Sequence, residues 1–139
     1  MQTWIIFSLF SAIFASLVAI FGKIGVAGID STLATAVRAV IMAVFLVIVA
    51  LSLGKFEMIS SVTGKPLVFI ILSGIAGALS WLFYFFALKY GPASAVAAID
   101  RTSVVFVLIF AVLFLAEKLT LNSALGAFLV AVGAIIISL

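Results

Sequence analysis

Apolar residues fill five blocks, Trp4–Gly22, Thr32–Leu53, Leu67–Lys89, Ala93–Ala116 and Asn122–Leu139, broken only by short polar connections. Runs of about 17–25 apolar residues match the thickness of a bilayer's hydrocarbon core when they coil as helices. The pattern therefore predicts an all-α membrane protein with five transmembrane helices in one domain spanning 1–139. The longest connection runs from Gly54 to Pro66. Pro66 and Pro92 fall in first turns, where a missing N–H costs nothing. Asp30 or Ser31 can cap the second helix and Thr120 the fifth. Gly54, Gly64 and Gly91 mark turns. The first block has no basic residues before it and exceeds the typical apolar core of a secretory signal, so it is expected to remain a spanning helix.

Composition agrees with the pattern and narrows the chemistry. The chain is 68% hydrophobic and 8% charged, with a mean hydropathy of +1.62, whereas a soluble domain carries about 25% charged residues. It contains no Cys and no His. Disulfides, haem ligation, thiolate or imidazole metal sites and Cys/His nucleophilic catalysis are therefore excluded, and no cofactor is expected. The net charge of +3 is scattered over loops and leaves no footprint for nucleic acid.

An odd number of spans places the termini on opposite sides of the membrane. Lys55, Lys65 and Lys118 fall on the N-terminal side, Lys23 and Lys89 on the other, and Arg38 brings the second count to three. The bias that normally sets orientation is too even to choose one. The chain is expected to insert either with its N-terminus inside by a thin margin or in both directions, pairing head to tail. Duplicating a unit with an odd number of spans gives the inverted repeats of many secondary transporters, and this chain looks like one such unit left unfused.

Three charges lie inside the apolar blocks. Counted along their helices at 1.5 Å per residue, Arg38 lies about 9 Å deep, Asp100 about 10 Å and Arg101 about 12 Å. Each costs about 2.5–3.5 kcal/mol at a helix centre, which makes such groups functional-site candidates by default. Thirteen Val, Ile, Leu and Phe residues in the fourth block supply about −6 kcal/mol, roughly what Asp100 and Arg101 cost together. Asp100 is expected to meet Arg38 across a helix interface, as a structural ion pair or as a substrate- or proton-coupling site. Arg101 is then left for a cavity, a snorkelling position or a partner. Trp81 and Tyr84 project into the same layer from the third block, with Gly77 on their face. They form either an aromatic cavity wall or plain packing; Phe83, Phe85 and Phe86 read as ordinary apolar surface. Trp4 and Tyr90 suit the interfacial belt.

Small residues recur at helical spacing: Gly74 and Gly77 in the third helix, Ser8, Ala12 and Ser16 in the first, and Ser123, Ala127 and Ala131 in the last, where Gly126 and Gly133 also fall seven apart. Such rows let backbones approach closely, either within one bundle or between two copies. Glu117–Lys118 reads as a solvated pair, or as a tie from its loop to a partner chain.

The ending Ala116-Glu117-Lys118-Leu119-Thr120, followed by Gly126 and Gly133, resembles the Gly-Glu-x-x-Thr motif and Gly pair of the drug/metabolite transporter superfamily, EamA-like branch. Arg38 in the second helix and the turn Ala87-Leu88-Lys89-Tyr90-Gly91-Pro92-Ala93-Ser94 match as well. Asp100-Arg101-Thr102-Ser103-Val104-Val105 is similar to the Asp-Lys-x-Ser-Val-Val of short five-helix bacterial and archaeal members, which adds Ser103 to the candidate site. The chain departs from the family in Ala116, which stands for the usual Gly, and in lacking a Pro in helix four. The resemblance implies half of a ten-helix inverted-repeat fold in a bacterial inner or archaeal plasma membrane. It also implies secondary transport of small metabolites, amino acids or drugs, often proton-coupled.

The residues and the resemblance together lead to a homodimeric secondary transporter with Arg38, Trp81, Tyr84, Asp100, Arg101 and Ser103 as substrate or coupling residues. The alternative is a non-transporting membrane subunit or assembly partner whose ion pair is structural. An intramembrane enzyme lacks a credible catalytic set. The expected partners are the lipid bilayer, a second copy in an antiparallel or parallel dimer, and a small-molecule substrate.

Overall fold

The computed structural model describes residues 2–139. It is all-helical, with no strand among the described residues. Its helices are α1 (Thr3–Gly25), α2 (Ser31–Ser52), α3 (Gly64–Tyr90), α4 (Ala93–Asp100), α5 (Ser103–Leu115) and α6 (Leu121–Ser138), with a 3₁₀ segment at Lys55–Ser61. Among the described residues, five spans are long and apolar enough to cross a membrane: α1, α2, α3, Ala93–Leu115 and α6. Large apolar side chains such as Phe7, Phe14, Phe45, Ile70 and Phe128 are exposed along them. In water this surface would aggregate; hydrocarbon is its natural surround.

The helix ends follow local chemistry. Asp30 takes the cap of α2, its carboxylate accepting the Leu33 N–H at 2.9 Å. That bond, with smaller help from Thr32 and Lys89, holds the Asp30 carboxyl below the usual carboxylate range against a weaker opposing effect of burial. Ser31, the other capping candidate, is fully buried, and its hydroxyl has no hydrogen-bond partner among the described residues. Thr120 caps α6 by accepting the Ser123 N–H at 3.1 Å. Gly54 (φ 65°) and Gly64 (φ 66°) supply left-handed turns on either side of the 3₁₀ segment. Ala116 adopts the same region at φ 53°, closing α5 by turning the N–H groups of Ala116 and Glu117 onto the Ala111 carbonyl.

The fourth span is where the pattern and the structure part. A continuous helix over 93–116 is expected, but the chain leaves α-helical bonding at Arg101–Thr102. The Thr102 hydroxyl donates to the Ile99 carbonyl at 2.6 Å, and the Thr102 N–H donates to the same oxygen at 2.9 Å. Val104 and Val105 then donate to the carbonyls three residues back. A side-chain hydroxyl competing for a backbone acceptor tightens the turn to 3₁₀ geometry. Both junction residues keep right-handed φ and ψ, so the span continues beyond the break.

The chain divides into two compact units, Met1–Ile24 with Tyr90–Leu139, and Gly25–Lys89. In the first, α4 and α5 pack on α6. Ala95, Val96, Ala127 and Ala134 of these helices are buried, and the alanines among them are small enough to permit close helix contact. Lys23 at the end of α1 donates to the Gly91 carbonyl at 2.8 Å and ties that end to the loop before α4. The second unit holds α2, the 3₁₀ segment and α3.

Candidate functional site

Arg38 lies seven residues beyond the start of α2, and Trp81 nine residues before the end of α3. At 1.5 Å per residue these are depths of about 10 and 13 Å. Asp30 and Lys89, at the matching ends of the two helices, interact electrostatically. The two side chains thus reach one level, and the Arg38 guanidinium carbon rests 3.6 Å from the centre of the Trp81 ring. An approach that short puts the cation against the ring's face, where the π quadrupole attracts it.

The indole is held by its own neighbours. Tyr84 meets it edge-on at 5.4 Å between ring centres and Phe85 at 6.2 Å, the latter with an interplanar angle of 65°. These contacts follow from register, since residues three and four apart on α3 share a face. Phe85 also lies 5.5 Å from the Arg38 guanidinium and is buried. Phe85 therefore belongs to the cluster, and its reading as ordinary apolar surface is corrected. Its four-residue spacing from Trp81 places it on that face of α3. Phe83 and Phe86 are exposed as expected.

Magnitudes show what the cluster leaves undone. An Arg within a span costs about 2.5–3.5 kcal/mol, and a cation–π contact returns about 0.5–2 kcal/mol. The ring moderates the charge without neutralising it, so solvent or a counter-charge is needed to complete the site.

The remaining candidates belong to the other unit. Asp100 ends α4 and is half-buried, whereas Arg101 and Ser103 on either side of the tightened turn are exposed. The glycines proposed for packing stand apart from their surroundings. A Cβ built at Gly74, Gly77, Gly126 or Gly133 would meet no atom within 4 Å outside its own helix backbone and chain neighbours. The helical rows fare differently: Ala127 and Ala131 face α5, while Ser8 and Ser16 are exposed and donate to carbonyls of their own helix. Between α5 and α6 runs a groove of about 490 Å³ whose walls include Val105, Ile109, Val112, Ala124, Ala127 and Ala131. It is apolar throughout and unsuited to a charged solute.

The charged group braced by aromatics thus lies on two of the membrane spans, α2 and α3. Over residues 2–139 the sequence matches the model of the EamA-like transporter family. The chain belongs to this family. A protein of Sinorhizobium sp., named an uncharacterized transporter in the cobO 3'region, is 43% identical over 137 residues, covering 99% of this chain and 97% of that one. No solved structure matches the chain significantly. As an EamA-like transporter the protein is a multi-pass membrane protein, and its five spans suit the half-transporter fold. Ala116 gains meaning in that setting: at the position where the EamA-like motif carries Gly, the backbone is left-handed, the conformation glycine enters most easily.

Proposed function

We propose that this EamA-like chain is a secondary transporter that works as a homodimer in a bacterial inner or archaeal plasma membrane, moving small metabolites, amino acids or drugs. The observation that carries the reading is the Arg38 guanidinium held on Trp81 inside a membrane span. A purely structural role favours a full charge partner or an apolar replacement, since a buried ion is a poor source of stability. Asp100 is the coupling residue of the proposal: a carboxylate within a span can exchange a proton or a cation during the cycle. Its place at the tightened turn of the fourth span suits that role, because interrupted helices bind substrates and ions in many secondary transporters. An odd number of spans and glycines with open space around them support pairing with a second copy.

Counterflow in proteoliposomes tests the reading. Vesicles are preloaded with one of a panel of amino acids, organic acids or cationic drugs, and the labelled compound is added outside. The parent protein accumulates at least one label, and Asp100→Asn, with unchanged helicity and size-exclusion profile, loses accumulation at least tenfold. Normal counterflow by folded Asp100→Asn removes the coupling role. No counterflow of any compound by the parent removes the transporter reading.

A further inference from the structure

Arg38 is the only charged side chain of α2, and the charges of α3, Lys65 and Lys89, lie in its terminal turns. The middle of this helix pair is therefore positively charged. Arginine stays protonated at any physiological pH, and an aromatic face is no counter-ion. A guanidinium against a ring also keeps N–H donors directed away from it, in the planar fork that matches a carboxylate. Trp81, Tyr84 and Phe85 continue the site as an aromatic wall.

We propose that Arg38 and Trp81 form the binding site for the carboxylate of a small organic anion, whose apolar body lies against the wall of Tyr84 and Phe85. The assignment rests on the transporter reading and narrows it to a substrate class. Charge balance selects within that class. One guanidinium neutralises one carboxylate, whereas a free phosphate brings nearly two charges to a single cation in a poorly screened setting. A cationic solute is disfavoured more strongly, since it would add a second positive charge beside the first. The phosphodiester of an anionic lipid also carries a single charge, so the experiment separates it.

Trp4 and Trp81 are the two tryptophans, and Trp4→Phe leaves Trp81 as the sole indole reporter at the site. The protein is reconstituted in phosphatidylcholine vesicles and titrated at constant ionic strength with benzoate and with benzamide, its uncharged analogue. Benzoate is expected to change Trp81 emission saturably, with benzamide at least about tenfold weaker, the loss of one charge-assisted hydrogen bond. Arg38→Lys should weaken benzoate about tenfold, because the charge survives and the fork does not. Arg38→Gln should abolish the saturable response; if it misfolds by circular dichroism, Arg38→Lys carries the test. Equal binding of benzoate and benzamide overturns the proposal, as does parent-like affinity in folded Arg38→Lys or Arg38→Gln. Phosphatidylglycerol vesicles that change Trp81 emission unaided and block benzoate identify a lipid headgroup site and overturn it too. The two readings fail separately: counterflow of cations or neutral solutes without benzoate binding sinks only the anion assignment, and benzoate binding without any counterflow sinks only transport.

Discussion

Removing the charge of Arg38 should make the protein more stable, the reverse of what deleting a well-contacted side chain normally does. Its guanidinium sits 3.6 Å from the Trp81 ring centre and 5.5 Å from that of Phe85. An Arg at a helix centre costs about 2.5–3.5 kcal/mol. At half-buried Arg38, part of that cost is relieved by solvent or snorkelling, and the ring returns about 0.5–2 kcal/mol. Arg38→Met keeps the apolar stem and removes the ion, for a net gain of about 1 kcal/mol. Trp81→Leu in the parent should lose about 2–3 kcal/mol from packing and the cation contact together. The same change beside Met should lose about 1 kcal/mol less, because there is no cation left to release. The four proteins form a double-mutant cycle, read as reversible unfolding by dodecyl sulfate in mixed micelles and followed by far-ultraviolet circular dichroism. A coupling below about 0.3 kcal/mol would show that the stacked geometry contributes nothing, since independent sites add within that margin. A loss of stability in Arg38→Met would refute the view that the site's charge is kept for function at a structural cost.

Two further outcomes follow from the helix ends. Ala116→Gly should raise stability by about 0.5–1 kcal/mol in the same unfolding assay, because Ala116 holds a left-handed backbone that costs an L-residue about 1–2 kcal/mol and glycine far less, while glycine's looser unfolded chain gives part of the gain back. Asp30 has its carboxyl held below the ordinary range by the Leu33 N–H, so its contribution is complete above the unfolded-state pKa of about 4 and is lost as pH falls through the lower folded-state value. Unfolding midpoints measured from pH 6 down to 3 should therefore decline less steeply in Asp30→Asn than in the parent; parallel curves would show that the cap carries no ionic component.

Much of the fold was legible from the apolar blocks because hydrocarbon leaves few choices. A chain that must satisfy every backbone group internally forms helices of membrane-spanning length wherever apolar runs allow. The caps at Asp30 and Thr120 and the turns at Gly54 and Gly64 were legible for the same local reason. Arg38, Trp81 and Tyr84 stood out because charges and deep polar-edged aromatics are expensive in a span. The interruption at Thr102 was harder to read. Apolarity alone favours one long helix over 93–116, and the competing hydroxyl bond to Ile99 shows only in the backbone geometry. Nor could spacing say whether Gly74, Gly77, Gly126 and Gly133 pack within one bundle or between two copies; within the single chain open space surrounds them.

What the sequence alone determined is a five-span all-helical membrane protein with costly groups at known depths, since length, apolarity and helical rise are properties of each segment by itself. Tertiary structure decided who meets whom. It laid the Arg38 cation on Trp81, brought Phe85 into that cluster and gave α6 its contacts with α4 and α5. Such contacts depend on the rotation of each helix about its own axis, which neighbouring side chains set and a linear pattern leaves free.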